Sequence, residues 1–457
     1  MKKHKKIIYL IFIISFFYTF LSATTFSQIH ATESIENVYP NDNDTNSNML
    51  KDAKLLDKKD VMKVIDTNIQ NYLRTDIQTE GKNIIASKDF VPLYDFEDSL
   101  FAYMVPLLEN GKEIGYITVG AIEDGYATYE IFIEDDVVNN ILSKMKQKEQ
   151  TLQTESPMSS QLVFLPPFQY IIKVTAGNTE KYFDISNPLH RDQDISDMIN
   201  KNKNDLQKYY QRIRTTENKK HIQKIIENTQ SNADGSNFSL AVTAEDVRLQ
   251  RESWGKNGFV PVIKEEGGYS YGGDQGWWKN IDNEKFNRGC GPVAAANITS
   301  YLAEANPSKY GRLYSPASMS QNDFLRHMDA LYDAIKPGFI GEVFVMHFKD
   351  AVENYARNKN VTLSGVISDA AFTLDNTANY IKDGLRANSP VATLNTKKFS
   401  DYYYEWHWMT ITKYYRDTSD NRWIAVSTWG ERRGIDYRVH FDAMKWGWVD
   451  GGLMYFK

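Results

Sequence analysis

Along residues 58–73 (KKDVMKVIDTNIQNYL), Val61, Val64, Ile65, Ile69 and Leu73 recur at the three-and-four spacing of a helix with one buried face. The pattern then changes period. The runs "FAYMVPLL" (101–108), "EIGYITVG" (113–120) and "YATYEIFI" (126–133) are short, apolar and rich in β-branched and aromatic residues, which predicts strands. Asn110-Gly111 lies between the first two, and both residues tolerate the positive φ of a tight hairpin. A further run, "FQYIIKVT" (168–175), turns at Gly177-Asn178 into "KYFDI" (181–185). Residues 195–228 form a charged, helical stretch. It gives way to "TQSNADGSN" (229–237), whose small polar residues mark a linker. These patterns predict a small α+β domain with an antiparallel sheet over residues 32–228.

Beyond the linker, Pro292 stands where a helix tolerates proline, and "VAAANITSYLAEA" continues helically until Asn306-Pro307. Later, "DYYYEWHWMTITKYY" (401–415) alternates from His407 onward, with Met409 and Ile411 on the face of the imidazole. A polar turn, "RDTSDN" (416–421), leads into a second strand, "RWIAVSTWG" (422–430), and "GIDYRVHF" also looks strand-like. The fold class is α+β in both halves.

The amino terminus has a separate logic. Lys2, Lys3, Lys5 and Lys6 precede an apolar run over residues 7–21, followed by Ser22-Ala23-Thr24-Thr25. That is the layout of a secretory signal peptide, with cleavage near Ala23 or Ala31. The rival reading, a membrane anchor, needs roughly 20 apolar residues, more than this run supplies. The expectation is a bacterial protein, secreted, with a signal at 1–31 and no membrane span once it is removed. The stretch "NDNDTNSN" (41–48) is no calcium loop, because the turn position holds Ser47 and the twelfth position Ala53.

Composition sharpens the division. All nine tryptophans lie at or after Trp254. Residues 241–457 hold 26 basic and 26 acidic residues, so the formal charge of −6 resides entirely in residues 1–240. An acidic, tryptophan-free segment thus precedes a neutral, aromatic-rich one. The expected organisation is a signal (1–31), an acidic first region (32–228), a linker (229–257) and a second domain (258–457). Net negative charge argues against a nucleic-acid partner. No metal or cofactor is implied, since the chain lacks His-Glu-x-x-His and paired cysteines.

Cys290 is the only cysteine in the chain. An exported protein with one thiol has no internal disulfide, and the leftover cysteine pairs between chains or reacts. A buried apolar cysteine is the plain alternative. Cys290 stands between Gly289 and Gly291 at the start of a helix, where unpaired N–H groups favour an anion, hence the thiolate. A thiol nucleophile needs a base, usually a distant histidine. Of eight histidines, His327 and His347 fall in helical stretches, His440 ends a strand-like one, and His407 opens a late strand. His407 is the candidate base.

A cysteine opening an alanine-rich helix ("GCGPVAAANI"), a histidine opening a late strand and a following strand ending in "STWG" resemble the papain-like cysteine peptidases. The nearer likeness is to streptopain and the double-glycine leader peptidases, over roughly residues 258–457. The resemblance implies a Cys290-bearing helix packed on an antiparallel sheet bearing His407, and a Cys–His dyad that hydrolyses peptide bonds. Papain-like enzymes have Asn-Ser-Trp-Gly where this chain has Ser427, Thr428, Trp429 and Gly430. Ser427 stands in for the asparagine, so the orienting role falls to Ser427 or to packing by Trp429. An oxyanion donor is also implied; Glu284, six residues before the cysteine, is unsuitable when ionised, and Gln275 in "YGGDQGWW" takes that place. The strand pair ending in "GYITVG" resembles streptopain-type pro-domains. Residues 32–228 then become a pro-region that acts as an intramolecular inhibitor of a zymogen, and the partner is a protein or peptide substrate. Two alternatives stay open: a cell-wall peptide hydrolase or acyl transferase with the same dyad, and a non-enzymatic surface-binding protein whose aromatic clusters touch glycans.

Overall fold

The helix expected at 58–73 forms as α1 (Lys58–Asn68), its first turn capped by the Asp57 carboxylate, which accepts from the Lys59 N–H, and runs on as a π-helical turn at Ile69–Leu73. The computed structural model describes residues 52–151, 158–186, 192–231, 243–338, 343–395, 407–446, 449–450 and 452–457. The signal-like segment 1–31, the stretch 41–48, residues 232–237 of the expected linker and the aromatic run 401–406 lie outside the described residues.

The first region supplies β1 (Ile84–Ala86), β2 (Val91–Tyr94), β3 (Leu100–Glu109), β4 (Lys112–Gly120), β5 (Thr128–Phe132), β6 (Met158–Leu165), β7 (Gln169–Ala176) and β8 (Thr179–Asp184). Asn110 and Gly111 make the two-residue turn between β3 and β4, with φ of 52° and 80°. Helix α2 (Val137–Thr151) follows β5. The charged stretch expected as one helical region is two helices, α3 (Ser196–Arg212) and α4 (Thr216–Ser231). Ile213 turns inward and is buried, and the Asn218 amide donates to its carbonyl at 2.7 Å, which seats the corner.

The second region begins with β9 (Thr243–Arg248), β10 (Pro261–Ile263) and β11 (Tyr269–Tyr271). A helical block follows: α5 (Asn283–Arg288), α6 (Cys290–Ala305), α7 (Pro307–Tyr310), α8 (Gln321–Ile335), α9 (Val345–Asn358) and α10 (Leu374–Arg386). Then come β12 (Val391–Asn395), β13 (His407–Asp417), β14 (Arg422–Thr428), β15 (Glu431–Asp436), α11 (Tyr437–Met444), the short ribbon β16 (Lys445–Trp446) and β17 (Val449–Asp450), and β18 (Gly452–Met454). Two sequence expectations change here. The strand-like "GIDYRVHF" is split, its first half in β15 and its second in α11. His440 therefore lies on a helix, where its Nε2 meets Thr393 Oγ1 at 2.8 Å. The Asp436 carboxylate caps that helix by accepting from the Arg438 N–H, which explains the switch from strand to helix.

The class is mixed α+β, as the patterns indicate. The tertiary surprise is continuity. One mixed sheet runs β18-β12-β13-β14-β15-β5-β4-β3-β2-β6-β7-β8, with β1 joined to β3 and β9 to β13. Each neighbouring pair in this order is antiparallel except β2 and β6. The two regions meet in its middle, where Arg433, Gly434 and Ile435 of β15 pair with Phe132, Ile131 and Glu130 of β5. The described residues belong to a single compact unit. One of its two apolar cores is itself shared, for Val61, Ile65, Tyr72, Ile117 and Ile225 pack with Tyr415 and Trp423. Among the described residues no helix is long and apolar enough to cross a membrane.

Burial pushes the imidazole of His327 down to about 3 and that of His440 to about 3 as well. A histidine near 6.5 in the unfolded chain takes up a proton that the native site refuses. Its contribution to stability is full above that value and is lost as pH falls toward the native one. His327 is held by Thr299 Oγ1 at 2.9 Å and faces the Tyr355 hydroxyl at 3.4 Å. His327→Gln, which cannot protonate, is expected to flatten the fall of Tm between neutral pH and pH about 4. Thermal melts of both forms across that range check it; an unchanged slope would mean that His327 does not drive acid sensitivity.

Candidate active site

Helix α6 opens on Cys290 and is apolar nearly all round, with every residue from Gly291 to Ala303 buried. Such a helix belongs inside a molecule rather than on its surface. It packs on β13 and under α8. Gly289 precedes it for steric reasons: a Cβ there would collide with the Trp278 ring and the Lys285 carbonyl. No side chain caps the helix start, so its first N–H groups point toward the thiol region.

One residue of α6, Asn297, fixes the helix to its surroundings. Its Oδ1 accepts the Gly273 N–H at 2.8 Å, and its Nδ2 donates to Ser427 Oγ at 3.3 Å. Gly272, at φ +85°, has no room for a side chain, because a Cβ would lie 2.6 Å from Ser427 Oγ. The helix, the Gly272–Gly273 loop and β14 are thereby locked together.

His407 opens β13 opposite Asn395 of β12 and is only 6% exposed. Its ring is held on two sides. The Nε2 atom lies 2.8 Å from Thr428 Oγ1, and the Trp429 indole stacks on the imidazole with centroids 4.6 Å apart and planes 23° apart. Trp429 can do this because of the turn that bears it. Thr428 pairs with Glu431, leaving Trp429 and Gly430 as a two-residue hairpin loop with φ of 48° and 72°. Positive φ at both positions is the signature of a tight hairpin, ordinary for glycine and strained for tryptophan.

Gln275, Cys290, His407, Ser427, Thr428 and Trp429 all border one cavity of about 10 Å³, together with Asn297. That is room for about one water molecule. The five residues singled out from the sequence are therefore neighbours, but their contacts differ from the expected ones. Ser427 does not reach the imidazole: it donates to the Tyr271 carbonyl at 2.6 Å and accepts from Asn297. Thr428 makes the imidazole contact instead. Successive side chains of a strand face opposite ways, so within "STWG" one residue's offset decides which hydroxyl meets the ring. Gln275 is buried on a 3₁₀ turn, Gln275–Trp278, and its Nε2 donates to the Phe286 carbonyl at 2.7 Å. One of its two amide hydrogens is thus engaged, and the amide has a second to offer.

Thr428 and Asn297 were not foreseen. Thr428 lay inside the quoted strand end, and Asn297 follows Cys290 by two helical turns, a spacing that puts both on one face. The other candidate histidines are elsewhere. His327 lies on α8 and His347 on α9, where its Nε2 faces the Ile335 carbonyl at 2.5 Å. No group of three or more His, Cys, Asp or Glu among the described residues could hold a metal ion.

Burial dominates the electrostatics. It pushes the Cys290 thiol up, although the backbone N–H groups of Trp408 and Gly291 pull the other way. It pushes the His407 imidazole down to about 3. The helix start alone suggests a thiolate; here desolvation outweighs the dipole, and the resting groups are a neutral thiol and a neutral imidazole lining one cavity.

In the full chain, the rate of Cys290 alkylation by iodoacetamide should rise with a midpoint above the ordinary thiol value of about 8.5. A pH–rate profile read by mass spectrometry checks this, and a midpoint below the ordinary value would overturn the desolvated-thiol description. No protein-family model matches this chain and no curated protein sequence matches it, so the geometry of the cavity carries the functional reading.

Proposed function

We propose that this chain is a secreted cysteine endopeptidase with a papain-like catalytic region, made as a precursor whose acidic first region restrains it. The observation that carries the reading is the shared cavity: a lone cysteine at the start of a buried helix, bordering the same space as a histidine held by Thr428 and Trp429. A structural cysteine has no need of an oriented imidazole. A peptidase does.

The chemistry follows from the placement. When substrate opens and fills the cavity, His407 takes the Cys290 proton and the thiolate attacks the peptide carbonyl carbon. The carbonyl oxygen becomes an oxyanion beside the helix start, where the Cys290 N–H and the second amide hydrogen of Gln275 are the candidate donors. The imidazolium then protonates the departing amine, leaving a thioester on Cys290. Water, deprotonated by His407, hydrolyses that thioester and restores the thiol. Thr428 and Trp429 are positioning residues: the hydroxyl at Nε2 and the indole stack together hold the imidazole in one orientation at the cavity it shares with Cys290. Ser427 and Asn297 hold the helix against the strand.

The restraint also has a physical basis. The cavity as described has room for about one water molecule. Phe168, which opens the segment before β7, sets its ring edge against Trp429 with centroids 5.8 Å apart, so the first region borders the histidine's support. Cutting within 229–237 is the proposed maturation step.

Cys290→Ala should abolish casein hydrolysis with Tm nearly unchanged, because the two side chains are similar in size, and His407→Ala should be nearly as inactive. Wild-type turnover by either folded variant would end the thiol-peptidase reading. Hydrolysis of purified peptidoglycan peptides with casein untouched would move the substrate to the cell wall while keeping the dyad.

Thr428→Val should lower kcat about tenfold with little change in KM, the equivalent of one hydrogen bond of about 1.4 kcal/mol, and Thr428→Ser should restore it. If valine and serine behave alike, Thr428 does not position the ring through its hydroxyl.

A further inference from the structure

A detachable inhibitor lies on a surface that is complete without it. The join between the two regions of this chain is of another kind. Its strands β5 and β15 are adjacent in the middle of one sheet, so removing residues 52–231 would leave the edge of β15 unpaired at Arg433, Gly434 and Ile435. Aromatic packing crosses the same line. Tyr72 stacks on Trp423 with centroids 5.2 Å apart and planes 21° apart, and the Trp423 indole N–H donates to Asn68 Oδ1 at 2.9 Å.

The charges are more telling. Asp76 lies 2.7 Å from Arg432 and 3.2 Å from Lys413, and none of the three side chains is more than 2% exposed. Burial pushes the Asp76 carboxyl up, but Arg432 and Lys413 pull it further down, below the usual carboxylate range. Glu252, 2.6 Å from Arg432, completes the cluster from the second region. On the sheet itself, Glu130 of β5 lies 2.5 Å from Arg433 of β15 and accepts from the Tyr116 and Tyr170 hydroxyls at 2.8 Å each. Two carboxylates of the first region thus pair with three cations of the second, Arg432, Lys413 and Arg433, which also meet Glu252, Asp246 and Glu431 of their own region. Interfaces with this core-like, fully desolvated character are those of obligate partners.

We infer that residues 52–231 are a permanent half of the molecule, and that cutting the chain between Ser231 and Thr243 yields a two-chain protein whose pieces stay bound through β5–β15 and the Asp76–Arg432–Lys413 cluster. Maturation then changes the constraint on the chain without removing the first region, and Phe168 remains against Trp429. The join is independent of the peptidase reading; only the consequence for maturation rests on it.

The test uses full-length Cys290→Ala protein, which removes the proposed self-trimming, with a recognition site for a specific endoprotease placed within residues 232–240. After complete cutting, the two fragments are expected to co-elute in gel filtration at the position of the uncut protein, in low and in high salt, and to separate only in denaturant. Separate elution in native buffer would overturn the inference. In the cut protein, Asp76→Ala should raise the fragment dissociation constant about 10²-fold or more, since removing one partner of a buried pair strands the others. Equal affinity with and without Asp76 would show that the ionic cluster does not hold the halves. Lys208→Ala, at an exposed ion pair with Asp205 within α3, is the control that should leave the constant unchanged.

Discussion

The amide of Asn297 is the contact on which the candidate site depends. With one atom it receives the Gly273 N–H and with another it donates to Ser427, so a single side chain ties the cysteine-bearing helix to the loop that leads to Gln275 and to the strand that leads to Thr428. All three elements are buried, and a buried amide left without partners costs on the order of 1–3 kcal/mol. The arrangement is therefore close to all-or-none. If the helix shifts by a turn, Asn297 loses both partners, and the cavity bordered by Cys290 and His407 loses its walls.

Desolvation sets the resting chemistry of that cavity. The same burial that excludes water keeps the thiol protonated and the imidazole neutral. The helix start and the N–H groups around Cys290 act in the opposite sense but do not win while the cavity is closed. Opening it to solvent or substrate would weaken the desolvation and leave the helix field in place, the condition that the proposed proton transfer from cysteine to histidine requires.

The ionic cluster around Asp76 belongs to the same logic at a larger scale. Arg432 precedes Arg433 on β15, and the two side chains leave opposite faces of the strand, one to Asp76 and the other to Glu130. The strand that follows the Trp429–Gly430 turn is therefore gripped from both faces by the first region. Residues 52–231 thus border the strand beside Trp429 through β5 and touch its ring through Phe168.

Much of the local structure was legible in the chain. The Val61–Leu73 periodicity, the Asn110-Gly111 turn, the helix opening at Cys290 and the strand opening at His407 all follow from short-range rules of spacing, turn geometry and capping, and these elements appear close to where the patterns put them. The grouping of Gln275, Cys290, His407, Ser427 and Trp429 around one space was legible only through resemblance, since they span 155 positions of sequence number and no local rule brings them together. Tertiary structure alone decided three things. It chose Thr428 over Ser427 for the imidazole, because a strand's pleat is set by its neighbours. It placed His440 on a helix, because Asp436 capped one. It also merged two regions of different composition into one sheet, because β5 and β15 each had an edge to satisfy. Charge asymmetry between the halves reads in sequence as a boundary; folded, the acidic side supplies Asp76 and Glu130 to Arg432, Lys413 and Arg433, and opposite charges that look like separation along the chain become attraction across it.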